Sequence, residues 1–171
     1  MLDKQPLQVL LDERPIIVSR WGLDRMEALL EELGHPEHTF ETFHIAGTNG
    51  KGSTAGFAAQ ILAAMGRRTG LYTSPHLSDV RERFHVVGKR IEEGVLQSAA
   101  QRIVQCSTAG LATYFEVTTA LAFLYFAEME VEVAVVEAGL GGRLDATNVL
   151  EPIGTAITSI GLDHTELLGP N

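Results

Sequence analysis

The stretch HIAGTNGKGST, residues 44–54, decides the fold class because it places a glycine-rich loop between two different hydrophobic patterns. Before it, TFHIA at 42–46 predicts a short strand, and after it STAGFAAQILAAMG at 53–66 predicts a helix. The loop departs from the usual phosphate-binding pattern G-x-x-x-x-G-K-[ST], since Ile45 replaces the first glycine and Gly52 replaces the hydroxyl residue. A strand, a glycine loop and a helix in this order predict the start of an α/β domain.

Helical and strand patterns alternate along the rest of the chain. VEVAVVEAG, residues 131–139, is a nearly continuous β-branched run, which is typical of a central parallel strand covered on both faces. Residues 82–93 predict a small hairpin beside the main sheet, turning at Gly88-Lys89. The other predicted elements are helices at 22–34, 93–107 and 115–129 and strands at 69–74 and 153–161. Strands separated by helices predict an open, mostly parallel α/β sheet with flanking helices.

Composition and charge narrow the class of protein. The chain has 171 residues, of which 45% are hydrophobic and 20% are charged, and this is ordinary for a globular domain. The net charge of -9 argues against general affinity for nucleic acid or for an anionic membrane surface. The single cysteine, the absence of a signal-peptide pattern and the absence of an apolar run of roughly 18 residues favour a cytoplasmic location.

Reactive residues follow the predicted strands at their carboxyl ends, where open parallel sheets bind ligands. The first strand leads into the glycine loop, the second into Ser74, the third into Glu137 and the fourth into His164. We therefore expect a phosphate loop, a hydroxyl, a carboxylate and an imidazole to share one rim of the sheet.

The glycine loop itself favours phosphate binding over a merely tight strand-to-helix turn. Gly47, Gly50 and Gly52 permit positive φ angles and a close backbone approach to an anion. The start of a helix adds favourable backbone dipoles, and Lys51 adds a positive charge for terminal phosphates.

Glu137 and Ser74 together favour a magnesium site. An ionised carboxylate at the end of a buried strand is costly unless it is compensated, and Mg²⁺ takes a few oxygen ligands besides water and nucleotide phosphate. An arginine partner is the alternative for Glu137, and a structural histidine is the alternative for His164. Their shared rim favours the metal interpretation.

GLGGRLDATN, residues 139–148, imitates the dinucleotide-binding pattern G-x-G-x-x-G. Its third glycine position holds Leu144, and the following Asp145, Thr147 and Asn148 favour a polar loop over a helix. A nicotinamide site is therefore disfavoured.

Taken together, several ordered motifs resemble the folylpolyglutamate synthase and dihydrofolate synthase family of the Mur ligase superfamily. The form GTNGKGS, with glycine between the lysine and the hydroxyl residue, is similar to the folate branch of that superfamily. The resemblance runs from about Leu23 to the end of the chain through HIAGTNGKGST, LYTSPHLSDVRERF, TYFEVTTALAF, VVEAGLGGRLDATNV and ITSIGLDHTELLGP.

The resemblance implies an ATP-dependent ligase. A carboxylate of dihydropteroate or of a folate would attack the γ-phosphate of ATP, and L-glutamate would convert the acyl phosphate to an amide. It implies ATP and Mg²⁺ as cofactors, no nucleic-acid or membrane partner, and a monomer for the full-length enzyme. It also implies that residues 1–171 are the N-terminal portion of the ATP-binding domain, with 1–40 as a leading helical segment.

The resemblance also assigns roles to residues at matching positions. Lys51, Glu137 and His164 would be catalytic, and Ser74 would join Glu137 and His164 in holding magnesium. The ATP-binding residues would be Thr48, Asn49, Gly50, Lys51, Gly52 and Ser53. The residues that contact the pterin-bearing substrate would be Tyr114, Phe115, Glu116, Leu144, Asp145 and Ala146. Tyr114 and Phe115 also fit the simpler interpretation of core residues at a helix start.

Relatives in the resembling family continue beyond the matched region, with a second metal site and a C-terminal domain. We therefore expect no glutamate ligation by the 171-residue chain alone. A non-catalytic nucleotide-binding module and a cell-wall Mur-type amino-acid ligase are the alternatives. An in-frame continuation of the coding DNA beyond Asn171 would favour the ligase over a separate module.

Overall fold

The computed structural model of the chain describes residues 5–12, 14 and 22–169. The remaining residues of the predicted leading segment, and residues 170 and 171, lie outside the described part. The helices are α1 (Pro6–Leu11), α2 (Asp24–Leu33), α3 (Lys51–Ala64), α4 (Glu93–Val104), α5 (Tyr114–Glu128) and α6 (Thr165–Leu168). The strands are β1 (Glu41–Ala46), β2 (Thr69–Tyr72), β3 (Phe84–Val86), β4 (Lys89–Arg90), β5 (Val133–Glu137) and β6 (Gly154–Ile157).

A six-stranded sheet in the order β4-β3-β2-β5-β1-β6 forms the centre of the fold. Strand β5 pairs in parallel with both β1 and β2, and β1 pairs in parallel with β6. All five residues of β5 are buried, which confirms the central strand that its β-branched run predicts. The mixed, mostly parallel sheet with flanking helices confirms the predicted fold class.

The two faces of the sheet are covered unequally. Alternate β5 side chains point to opposite faces, so Ala134 and Val136 join the larger core beneath α1, α2, α4 and α5. Val135 points the other way and packs with Ala55 and Ala59 of α3. Helix α5 is buried along nearly its whole length, as its apolar sequence predicts. The large helical layer lies on one face, and α3 lies on the other.

The hairpin differs from the sequence prediction in two respects. It extends the main sheet instead of standing beside it, because β3 pairs with β2 in antiparallel orientation. Its turn lies at Val87 and Gly88, one residue earlier than predicted, and both residues have positive φ angles of 49° and 71°. Two successive positive φ angles are typical of tight two-residue hairpin turns.

Helix α3 begins at Lys51, two residues before the predicted start at Ser53. Gly50 precedes it with φ 85°, so this glycine makes the sharp turn from the loop into the helix. None of the helices in the described part of the chain is both long and apolar enough to cross a membrane.

Candidate functional site

The parallel strands end at one rim of the sheet, where the sequence predicts the site. In the pairing register Ile45 faces Glu137 and Ala46 faces Ile157, so the segments that follow β1, β5 and β6 emerge side by side. Tyr72 at the end of β2 faces Val136, which brings Ser74 to the same rim. The topology therefore gathers the elements that carry the predicted site residues.

The glycine loop contains two glycines with positive φ angles. Gly47 and Gly50 have φ angles of 134° and 85°, which side-chain-bearing residues rarely adopt. The Lys51 ammonium group donates a hydrogen bond to the Thr48 carbonyl oxygen at 3.2 Å, so the side chain folds over the loop. The first amide groups of α3 have no acceptor within the helix, and the Gly52 amide among them is directed at Glu137.

Residues after β6 hold the loop in position. The Thr48 amide donates to the Ser159 carbonyl oxygen at 2.9 Å, and the Gly161 amide donates to the Thr48 hydroxyl at 3.0 Å. Asn49 and Ser159 form an isolated antiparallel bridge. The conformation of the loop thus depends on a segment more than one hundred residues away in sequence.

Glu137 is a buried carboxylate with backbone donors. Its Oε2 accepts a hydrogen bond from the Ser74 amide at 3.0 Å. Burial raises the pKa of Glu137, while the amides of Ser74 and Gly52 and the charges of Lys51 and Arg83 oppose that rise. Arg83 acts here through its charge, and the hydrogen bonds come from the backbone. This differs from the arginine-paired alternative and leaves a partly compensated carboxylate beside the loop.

Gly52 is packed against this carboxylate. A Cβ atom at Gly52 would lie 3.3 Å from Oε2 of Glu137, which is tighter than most carbon contacts in proteins. The glycine that replaces the usual hydroxyl residue therefore lets the helix start approach Glu137 closely.

His164 lies at the mouth of the site and is not a buried structural histidine. Its side chain is 56% exposed, and its backbone φ of 49° is left-handed. The His164 amide donates to Oδ1 of Asp163 at 2.8 Å. Nε2 of the imidazole lies 3.9 Å from Oδ2 of Asp163, and the ring lines both cavities of the rim described below.

Two adjoining cavities occupy the rim, with volumes of about 410 and 460 Å³. The larger one, which we call the loop cavity, is lined by Gly47, Thr48 and Lys51. The smaller one, the aromatic cavity, is lined by Ser74 and by all the residues predicted to contact the pterin-bearing substrate: Tyr114, Phe115, Glu116, Leu144, Asp145 and Ala146. Gly139, Leu140 and His164 line both cavities.

Two arginines that the sequence analysis did not single out also line the aromatic cavity. Arg83 is only 6% exposed, donates to Nδ1 of His76 at 2.9 Å, and lies 5.5 Å from the centre of the Tyr114 ring. Arg25 donates to Oε1 of Glu116 at 2.9 Å. Arg83 lies in the predicted hairpin at 82–93, and Arg25 lies off the apolar stripe of the predicted helix at 22–34, so local sequence pattern does not mark either as a cavity residue.

Glu116 and Asp145 use their carboxylates mainly inside the protein. Glu116 forms a capping box with Thr113 at the start of α5 and pairs with Arg25. Asp145 accepts hydrogen bonds from the Leu140 amide and the Thr147 hydroxyl, at 2.8 and 2.5 Å. We expect both residues to shape the cavity wall more than to bind ligand directly.

A buried histidine anchors the loop after β5. Nε2 of His44 lies 2.8 Å from the Thr147 hydroxyl, which bonds to Asp145. Burial lowers the pKa of His44, and the charge of Asp145 opposes that effect. These hydrogen bonds from His44 through Thr147 to Asp145 therefore connect the core to Leu140, which lines both cavities.

Replacing Arg25 by methionine should destabilise the protein by about 2 kcal/mol. The Glu116 side chain is 6% exposed, so removing the guanidinium leaves a buried carboxylate without its charged partner. Chemical unfolding measures the loss, and the exposed Arg143→Met is the matched control, for which we expect less than about 0.5 kcal/mol. Equal losses in the two variants would show that the Arg25–Glu116 pair does not stabilise the cavity wall.

Comparison with known proteins finds relatives over most of the chain. No protein-family model matches it. The dihydrofolate synthase/folylpolyglutamate synthase of Bacillus subtilis is 44% identical over 155 residues, covering 86% of this chain and 36% of the relative. The structure of Escherichia coli FolC in complex with DHPP and ADP aligns with a TM-score of 0.89 at 36% identity, covering 99% of this chain and 41% of that one.

A second solved structure agrees. Mycobacterium tuberculosis folylpolyglutamate synthase complexed with ADP and AMPPCP aligns with a TM-score of 0.85 at 42% identity, over 98% of this chain and 39% of that one. The chain thus spans about two fifths of the length of these solved relatives.

Proposed function

Because the chain is homologous to the folylpolyglutamate synthase and dihydrofolate synthase family along most of its length, we propose that it carries the nucleotide-binding and pterin-binding parts of an ATP-dependent ligase. The reaction would join L-glutamate to dihydropteroate, to a folate, or to both. The products would be an amide, ADP and inorganic phosphate.

The observation that carries this proposal is the wall that the two cavities share. The loop cavity has a glycine loop and Lys51, which suit the phosphates of a nucleotide. The aromatic cavity has Tyr114, Phe115 and Arg83, which suit a flat ring system that carries a carboxylate, whereas Arg25 is paired with Glu116. A terminal phosphate in one cavity and a carboxylate in the other would meet beside His164.

This arrangement supports phosphoryl transfer to a carboxylate. The attacking carboxylate oxygen forms a bond to the γ-phosphorus while the bond to the β,γ-bridging oxygen breaks, and ADP leaves. The neutral amino group of glutamate then attacks the acyl carbon, the bond from that carbon to the phosphate oxygen breaks, and the nitrogen releases a proton to solvent. The role of Lys51 would be to offset charge on the transferring group, and the loop amides would orient it, since positioning and charge neutralisation dominate such reactions.

The residues at the rim fit a magnesium ion. Burial raises the pKa of Glu137, so the protein provides a carboxylate whose charge a hard cation would stabilise. Ser74 would add a hydroxyl ligand, and His164 would act directly or through water. When bound, Mg²⁺ would neutralise charge on the nucleotide phosphates.

The aromatic cavity supports the choice of a pterin-bearing substrate. Arg83 is held against the Tyr114 ring and against His76, so its guanidinium is fixed in the wall. A fixed guanidinium recognises carboxylates through two parallel hydrogen bonds. We propose that Arg83 helps to orient the substrate and that the aromatic side chains contact its ring.

Ligation assays test the proposed function. They use the product of the complete open reading frame that encodes this sequence. With ATP, Mg²⁺ and L-glutamate, we expect ADP release that depends on dihydropteroate or tetrahydrofolate, with the glutamylated product identified by mass spectrometry. Muramyl peptides serve as the competing substrate class. Activity with muramyl peptides alone would replace the folate assignment, and nucleotide binding without ligation of any of these substrates would favour a non-catalytic module.

We propose further that the full-length protein is a monomer with no nucleic-acid or membrane partner. The net charge of -9 on these 171 residues supports the second part of this proposal, because it opposes association with polyanions.

A further inference from the structure

A cluster of metal-ligand side chains lies far from the rim, in the connection between α2 and β1. The sequence HPEH, residues 35–38, enters a short 3₁₀ segment at Pro36. His35, Glu37 and His38 there offer two imidazoles and a carboxylate, the side-chain types that bind Zn²⁺ and similar ions. This cluster, which we call the HPEH cluster, has no part in the proposed ligase reaction.

The candidate ligand atoms of the HPEH cluster lie close enough together to approach one ion, and His35 and Glu37 share a hydrogen bond. Oε1 of Glu37 lies 2.9 Å from Nδ1 of His35 and 3.7 Å from Nε2 of His38. All the candidate ligand atoms lie within 4.8 Å of one another. Tetrahedral zinc with bonds of about 2.0–2.1 Å places its ligands about 3.3 Å apart, a value between the two distances to the carboxylate.

The carboxylate of Glu37 supplies an independent sign of a missing partner. Its side chain is only 5% exposed. Its second oxygen, Oε2, is buried and has no hydrogen-bond partner among the described residues. Burying a carboxylate oxygen without a partner is energetically costly. A cation bound by this carboxylate would offset that cost.

The two imidazoles are accessible to an ion from solvent and are already gathered. The side chains of His35 and His38 are 47% and 66% exposed, and their rings stack with centroids 5.1 Å apart. Solvent can therefore deliver an ion to side chains whose candidate ligand atoms already lie within 4.8 Å of one another.

We propose that the HPEH cluster binds a divalent transition-metal ion, Zn²⁺ in the first place. Three protein ligands leave at least one coordination position for water or for another ligand. The cluster precedes the amino end of β1, whereas the glycine loop follows its carboxyl end, and a six-residue strand spans roughly 20 Å. The ion would bind within the α2–β1 connection, at a place separate from the proposed magnesium site of the rim.

Zinc titration of the purified protein tests the proposal, with competition by a chromophoric chelator in millimolar Mg²⁺ to occupy oxygen-rich sites. We expect one Zn²⁺ per chain, a rise in Tm on zinc addition, and X-ray absorption showing two imidazole nitrogens at about 2.0 Å. The double variant His35→Asn/His38→Gln should bind zinc at least tenfold more weakly, because it removes both imidazole ligands. Asparagine at position 35 keeps the left-handed backbone, because it tolerates φ near 54°.

His85→Gln is the matched control, since it removes an imidazole on the distant strand β3. Its Nδ1 has no hydrogen-bond partner within the part of the chain that the structure describes. It should bind zinc as the unmodified protein does. Glu37→Gln, which keeps the shape of the side chain, is the second test and should also weaken binding. Equal zinc affinity in the unmodified protein and in the double variant, or an absorption spectrum without paired imidazoles, would overturn the proposal.

Discussion

Replacing Lys51 by alanine should weaken the binding of Mg-ATP by roughly 10- to 100-fold, the equivalent of about 1.5–3 kcal/mol for a hydrogen bond between charged groups. Lys51 is the basic residue that lines the loop cavity together with the glycine turn. Its ammonium group already lies over the loop, 3.2 Å from the Thr48 carbonyl oxygen. Little rearrangement is therefore needed for it to reach a phosphate.

Isothermal titration calorimetry with a non-hydrolysable ATP analogue and Mg²⁺ measures this effect. Lys89→Ala is the matched control, because Lys89 is exposed on β4 at the opposite end of the sheet order from β1 and β6. The control carries the same change in net charge and should bind as the unmodified protein does. Equal affinity of the Lys51→Ala and Lys89→Ala proteins would remove Lys51 from the phosphate-binding role.

Replacing Gly47 by alanine should destabilise the protein by about 3 kcal/mol. The φ angle of 134° at Gly47 is rarely adopted by residues with a side chain. A Cβ atom there would lie 2.0 Å from the Thr158 hydroxyl and 3.0 Å from its backbone nitrogen. The hydroxyl can rotate away, but the backbone nitrogen belongs to a hydrogen bond that joins Thr158 to Ala46. The loop and the end of β6 would have to separate.

Gly56→Ala in the middle of α3 is the control for this substitution. An added Cβ at Gly56 meets no atom within 4 Å, so alanine should raise the free energy of unfolding by about 0.5–1 kcal/mol through helix propensity. Urea unfolding of both variants separates the two effects. A Gly47→Ala protein as stable as the unmodified one would mean that the contact with Thr158 does not constrain the loop.

Glu137 illustrates how the proposed function conflicts with stability. Its carboxylate is buried at the end of the central strand, and this burial raises its pKa. The folded protein therefore stabilises the ionised form of the Glu137 carboxyl group less well than water does. Such a cost is expected where a protein presents a carboxylate to a cation.

The parallel sheet could be predicted from sequence because each element has a strong local pattern. The β-branched run at 131–139 predicts a strand buried on both faces, and Val133–Glu137 is that strand. The predicted helices at 22–34 and 115–129 agree with α2 and α5 to within a few residues. The hairpin was placed wrongly, because its position depends on pairing between β3 and β2, which a local pattern does not specify.

The candidate site divides in the same way. The sequence by itself determined which residues lie at the ends of the parallel strands, since strand order along the chain and the right-handed crossover place those ends together. Through the resemblance to a known family, it also singled out six of the residues that line the aromatic cavity. Only the tertiary structure decided that Arg25 and Arg83 line that cavity, and that His35, Glu37 and His38 form a second cluster. The reason is physical: side-chain directions and the burial of a carboxylate depend on packing between distant segments, which hydrophobic periodicity does not record.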